Sequence, residues 1–203
     1  MALTLLRLLL VPLFLLLLIS AAPPRAGLVP VDEGRLDHRR WLALGVFAVM
    51  AVTDTLDGML ARKLKQVSRL GTFLDPAADK ILVTGGLFLL ILPRFAPAGF
   101  AIPWPVLWGV CQKDVCVLIG AAVVKWKLGR VEINANRWGK LNTMMEVAMM
   151  IAAILSPEWI AISPLFAAVF LWSLWHLTVL ATAAAAWGYS AEGARQLRRA
   201  EAG

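Results

Sequence analysis

At 203 residues the chain has the length of one domain, and 60% of it is apolar, with a mean hydropathy of +0.75. That excess excludes an ordinary soluble globule or a disordered tail and places the chain among integral membrane proteins. The net charge of +7 would suggest nucleic acid in a soluble protein; here it reads as basic loops beside anionic membrane lipids, with no nucleic-acid partner.

Residues 2–22 form a nearly unbroken apolar run carrying one charge, Arg7, and are long enough to span a bilayer. A short basic start, a leucine-rich middle and the small residues Ser20, Ala21 and Ala22 also fit a cleaved secretory signal, so retention and removal both stay open. Arg7 reads either as a snorkelling anchor or as a group facing the site. Residues 23–40, with prolines, glycines and both charge signs, read as a linker too polar to bury. A second span, 41–61, opens on an interfacial Trp41 and holds Asp54 and Asp57 in its last third. Arg62, Lys63, Lys65 and Arg69 make a basic connection to a third span, 70–92, with Asp75 and Asp79 in its first third. Pro76 falls near the start of that helix, where proline is tolerated.

Residues 93–103 are a turn-rich connection, and 104–124 a fourth span with Gln112, Lys113 and Asp114 in mid-run. Lys113 and Asp114 either neutralise other buried groups or meet a substrate. A second basic connection, 125–140, leads to a fifth span, 140–155, which buries Glu146; residues 156–163 turn the chain into a sixth, 164–187. The tail, with Arg195, Arg198 and Arg199, reads as an amphipathic or disordered end. Cys111 and Cys116, five apart with no histidine cluster, read as buried free thiols rather than as a disulfide or zinc site. The expectation is an all-α integral membrane protein, one domain over residues 1–203, with six transmembrane helices. Lysine and arginine gather after the second and fourth spans and in the tail, which puts both termini and the dyad side in the cytoplasm. Arg25, Arg35, Arg39 and Arg40 in the first linker pull the other way.

The four aspartates carry the chemistry. Asp54 and Asp57 are three apart and Asp75 and Asp79 four apart, so each pair shares one face of its helix. An antiparallel hairpin of spans two and three brings both dyads to one depth as a carboxylate cluster. Bare anions there would cost several kcal/mol each, roughly, so the cluster must hold cations or line a wet cavity. Hard carboxylate oxygens suit Mg²⁺, Mn²⁺ or Ca²⁺. A cation transporter conducting through intramembrane aspartates would explain the acids, but not the small and basic residues at fixed spacings around them.

Those residues complete a pattern. Asp54, Asp57, Gly58, Ala61, Arg62, Gly71, Asp75 and Asp79 fit D-x2-D-G-x2-A-R-x8-G-x3-D-x3-D without a gap, and the chain thereby resembles the CDP-alcohol phosphatidyltransferases. Thr4, Arg7 and Pro12 resemble the start of that family's first helix. The resemblance implies transfer of a phosphatidyl group from CDP-diacylglycerol to an alcohol, with CMP leaving. It implies Asp54, Asp57, Asp75 and Asp79 as ligands of two divalent cations, Mg²⁺ or Mn²⁺, and Asp79 as the base that takes the acceptor's proton. Asp54, Gly58, Ala61, Arg62 and Gly71 would bind the CDP group; close helix packing explains the two small residues on the second span equally well. DPAADK, residues 75–80, resembles the phosphatidylglycerophosphate and cardiolipin synthase branch. Asn142 in GKLNT leans toward the cardiolipin type, with phosphatidylglycerol as acceptor; the chain's compactness leans toward glycerol 3-phosphate and a bacterial inner membrane. Lys113, Arg137 and Lys140 are then candidate ligands for the acceptor phosphate, although Lys113 stands where the family usually has arginine and lacks its bidentate fork. The family is often dimeric, which implies a homodimer.

Overall fold

A computed structural model describes residues 2–22, 33–64, 69–97, 100–128 and 137–201. The described residues form seven helices and no strand: α1 (Ala2–Ser20), α2 (Glu33–Leu64), α3 (Arg69–Ile91), α4 (Trp104–Leu128), α5 (Arg137–Ile154), α6 (Ser156–Ile162) and α7 (Pro164–Glu201). They divide into two compact units, residues 1–101 with 153–157, and residues 102–152 with 158–203.

In the first unit α1 packs against both α2 and α3. Val11, Phe14 and Leu18 make its buried stripe, Ala43, Phe47 and Met50 that of α2, and Val83, Leu87 and Leu90 that of α3. Each stripe follows the three-to-four-residue period of a single helix face. Phe14 meets Phe47 with ring centroids 5.4 Å apart, and Leu15 sits where a methyl group added to Gly85 would touch it at 3.4 Å. The opposite faces are apolar as well, with Leu9, Leu13, Leu16, Val49 and Val52 exposed, as helices in lipid require. Pro12 lies inside α1, a position tolerated in membrane helices because neighbouring groups re-satisfy the backbone.

The start of α2 corrects the expected polar linker: residues 33–40 are its first two turns. The charges that forbid simple burial are used instead at helix ends. Arg39 donates to the carbonyl of Ser20, the last residue of α1, at 3.0 Å, and Arg40 to that of Ile154, the last residue of α5, at 3.3 Å. Carbonyls at helix C-termini lack intrahelical donors and carry partial negative charge, so a guanidinium suits them. Arg40 also pairs with Asp37 at 3.0 Å, one turn earlier. Further along, residues 92–97 form turns, in keeping with the expected turn-rich connection, and Ser156 Oγ donates to the Pro97 carbonyl at 2.8 Å.

The second unit is built on α4 and α7. Gly109 approaches Thr182 and Val124 approaches Gly193, so the two helices run in the same direction. α5 returns between them: Gly139 lies against Tyr189, while Asn142 bonds to Thr182, so its residues climb as those of α7 fall. The expected turn at 156–163 contains α6, bent 65° from α5. Pro157 at its first turn followed by Glu158 is a helix-start signal. Ser163 then caps α7, its hydroxyl accepting from the Phe166 amide at 3.4 Å, with Pro164 in the first helical position. Trp159, Phe166 and Phe170 pack as an aromatic group around this corner. α7 continues past the expected end at 187 to Glu201, through strong helix formers and a Glu192–Arg195 pair at 3.6 Å. Cys116 is exposed rather than buried, and Cys111 half-buried.

Among the described residues two helical stretches are long and apolar enough to cross a membrane, Trp104–Val124 and Pro164–Arg198, and three if the bent pair α5–α6 is one span. Shorter apolar stretches, Leu9–Ser20 and Lys80–Ile91, lie in α1 and α3.

Candidate active site on α2 and α3

The pattern residues lie on continuous helical backbone. Asp54, Asp57, Gly58, Ala61 and Arg62 belong to α2, and Gly71, Asp75 and Asp79 to α3. The side chains of residues 54–79 lie outside the described residues, so only their positions along the two helices are given and the expected carboxylate cluster is not shown. That placement is informative. Asp54 stands ten residues before Leu64 and Asp79 ten after Arg69, each about 15 Å along its helix at a rise of about 1.5 Å per residue. Asp57 and Asp75 stand seven and six residues from the same ends, both about 10 Å. The two dyads thus stand at similar distances along their own helices from the ends that the connection 65–68 joins. On α2 the three-residue spacing, and on α3 the four-residue spacing, put each pair of Cβ atoms on one face. Among the described residues no three His, Cys, Asp or Glu side chains gather as a metal site.

The candidate acceptor ligands belong to the second unit. Lys113 is buried, and its ammonium donates to Glu146 Oε1 at 2.9 Å and lies 3.4 Å from Asp114. The same Glu146 oxygen accepts from Asn142 Nδ2 at 2.6 Å, and Asn142 Oδ1 accepts from Thr182 at 2.7 Å. Glu146, Asn142 and Thr182 are all buried. Four side chains from α4, α5 and α7 therefore satisfy one another where no water reaches, the condition under which polar groups can be buried cheaply. Arg137 and Lys140 are exposed near the start of α5. Glu146 lies six residues beyond Lys140 and nine beyond Arg137, about 9 and 14 Å along the helix. The structure gathers Lys113 with Glu146, and Arg137 with Lys140 on one stretch of surface. Thr182 was not singled out by the sequence, because a threonine in an apolar run commonly bonds only its own backbone. It does that too, donating to Thr178 at 2.8 Å.

A cleft between the C-terminal halves of α4 and α7, about 330 Å³ and lined by Cys116, Gly120, Val124, Tyr189, Gly193 and Leu197 among others, also went unforeseen. Its only sequence signal is small residues recurring four apart, which mark close helix packing as readily.

Comparison with known proteins bears on the α2–α3 pattern directly. The chain is 32% identical over 152 residues to "CDP-diacylglycerol--glycerol-3-phosphate 3-phosphatidyltransferase" of Bacillus subtilis, covering 75% of this chain and 74% of the relative. The protein of that name from Haemophilus influenzae is 32% identical over 148 residues, 71% of this chain and 69% of its own length. Human "Cardiolipin synthase (CMP-forming)" is 29% identical over 182 residues, 81% of this chain but 57% of the relative. The family model for CDP-alcohol phosphatidyltransferase matches residues 1–183, which takes in both dyads and every helix up to the middle of α7. By that match the chain belongs to the CDP-alcohol phosphatidyltransferase family.

Proposed function

We propose that the chain transfers a phosphatidyl group from CDP-diacylglycerol to glycerol 3-phosphate, releasing CMP. The observation that carries this is the pair of aspartate dyads at helical spacing on α2 and α3, in a chain whose bacterial relatives bear the name of that reaction. The acceptor's hydroxyl oxygen forms a bond to the phosphatidyl phosphorus as the bond to the CMP oxygen breaks. The hydroxyl proton goes to Asp79, and the electron pair of the broken bond leaves with CMP.

Four carboxylates at helical spacings are a hard-oxygen donor set that fits divalent cations, so Asp54, Asp57, Asp75 and Asp79 would hold Mg²⁺ or Mn²⁺, in our reading two ions. When bound, such ions neutralise the diphosphate and the charge growing on the leaving oxygen. Gly58 and Ala61, one turn apart on α2, leave the backbone open for the nucleotide, Gly71 does the same on α3, and Arg62 supplies a cation for its phosphates. Lys113, Arg137 and Lys140 remain the proposed contacts of the acceptor phosphate. For Lys113 this requires its ammonium to leave, or share, Glu146.

The same reading has six crossings, by α1, α2, α3, α4, the bent pair α5–α6, and α7. The parallel course of α4 and α7 supports it, because an odd number of crossings must lie between them. Basic residues after α2 and α4 and in the tail support a cytoplasmic site and termini in an inner membrane. The homodimer implied by the family belongs to this reading, and sedimentation of the solubilised protein would test it.

Phosphatidylglycerol as acceptor is the second reading, favoured by the match to cardiolipin synthase over 81% of the chain. Purified protein given CDP-diacylglycerol, Mg²⁺ or Mn²⁺ and one acceptor at a time separates the two. CMP release with glycerol 3-phosphate alone is the expected result. Release with phosphatidylglycerol alone would transfer the assignment to the second reading. No release with any acceptor, together with cation flux in vesicles, would return the chain to the transporter class.

A further inference from the structure

The cleft between α4 and α7 has the shape and surroundings of a lipid site. Cys116, Gly120 and Val124 form one wall at four-residue intervals, and Tyr189, Gly193 and Leu197 the other at the same intervals. From Cys116 to Val124 is eight residues, about 12 Å of helix, and these are the last residues of the apolar stretch Trp104–Val124. One leaflet of a hydrocarbon core about 30 Å thick is about 15 Å deep, so the cleft runs along most of one leaflet. Trp126, two residues past Val124 at the outer end of the α4 wall, is 85% exposed, and exposed tryptophans mark the headgroup level.

Charge supplies the second argument. Lys127 is three residues past Val124, and Arg198 four past Ala194, which also lines the cleft. Helical spacing therefore sets exposed Lys127 one turn beyond the apolar α4 wall, and exposed Arg198 at the end of the α7 wall, which also carries Ser190, Glu192 and Gln196. The acid of the lining, Glu192, is paired with Arg195 at 3.6 Å, which leaves the rim positive. We infer that this cleft binds one acyl chain of an anionic glycerophospholipid of the membrane, its phosphate held by Lys127 and Arg198. A polybasic rim at the membrane surface favours anionic over zwitterionic headgroups.

Gly120 gives the test, because a side chain added there meets nothing within 4 Å and would grow into the cleft. Full-length wild type, Gly120→Phe and the control Gly45→Phe, likewise placed in open space but on α2, are solubilised in mild detergent. Phospholipid retained per chain is then counted by native mass spectrometry, with thermal melting to verify folding. Wild type and Gly45→Phe should keep one more phosphatidylglycerol than Gly120→Phe, whose occupancy should fall about tenfold; Gly120→Leu replaces it should the larger ring prevent folding. In nanodiscs of mixed phosphatidylglycerol and phosphatidylethanolamine, the double variant Lys127→Ser/Arg198→Ser should lose the preference for phosphatidylglycerol. Equal lipid counts in wild type and Gly120→Phe would overturn the site. A wild type that retains phosphatidylethanolamine equally would overturn the anionic assignment. Efficient cross-linking of two copies through Cys116 in the bilayer would assign the cleft to a second chain instead.

Discussion

The Lys113 ammonium on α4 and the Glu146 carboxylate on α5 face each other at 2.9 Å, with 7% and 3% of their side chains exposed. Removing one partner of such a pair leaves a buried charge uncompensated, at a cost of about 3–5 kcal/mol, whereas replacing both is often near neutral. Lys113→Met alone should therefore lower the melting temperature of the solubilised protein markedly. The double variant Lys113→Met/Glu146→Gln should recover much of it, because glutamine still accepts from Asn142. Additive losses in this double-mutant cycle would show that the pair is not coupled.

Asp57 and Asp75, seven and six residues from the facing ends of α2 and α3, are the proposed cation ligands. Asp57→Asn or Asp75→Asn should abolish CMP release while leaving the helical content by circular dichroism unchanged. EDTA should abolish it reversibly, with Mg²⁺ or Mn²⁺ restoring turnover. Full turnover in chelated buffer would remove the divalent ions from the reading.

Asp79 is set apart from Asp75 by its proposed role as base. Asp79→Asn should slow the chemical step by about 100- to 10,000-fold, the range expected on losing a general base. Binding of CDP-diacylglycerol should persist, since Asp54, Asp57 and Asp75 keep their charges. Should metal affinity in this variant fall as far as in Asp57→Asn, Asp79 would be a ligand and nothing more.

Gly139 sits where the Tyr189 hydroxyl presses on α5: a methyl group added there would collide with the phenol. Gly139→Ala should therefore destabilise the second unit by about 1–3 kcal/mol, the usual cost of overpacking. Tyr189→Ala in the same chain should remove most of the added cost. A Gly139→Ala protein that melts with the wild type would mean that Tyr189 turns away freely.

Because α4 and α7 run parallel, their C-terminal ends emerge on one side of the membrane, whichever side that is. Single cysteines placed in the segment 129–136 and after Gly203, in a chain lacking Cys111 and Cys116, should react with the same impermeant reagent from the same side. That side should be the cytoplasm. Opposite labelling would break the parity of the second unit, and common labelling from outside would reverse only the orientation.

What could be read from the sequence followed periodicity. The apolar stripes of α1, α2 and α3, and both dyads, follow from spacing along one helix, and spacing needs no fold. Pairings between distant helices were out of reach. Glu146 showed as a costly acid and Lys113 as a costly base, but nothing in the order of residues tied them together across 33 positions. Residues 33–40 differ from the expected linker for the same reason: Arg39 and Arg40 look like linker charges until the carbonyls of Ser20 and Ile154 arrive from α1 and α5. The helix start at 156–158, a proline followed by an acid, is a local signal that a plain reading of 156–163 as a turn passes over.

α7 holds 38 residues in one helix, about 57 Å, nearly twice the depth of a hydrocarbon core of about 30 Å. Its end at Glu201 is continuous with the packed core of the second unit through Thr182 and Ala185. A soluble helical protein spliced in phase onto Glu201, with no linker, would share that helix and inherit its direction. For a membrane protein of 22.1 kDa, nearly all of it hidden by detergent or lipid, such a rigid handle would give electron micrographs a feature large enough to align.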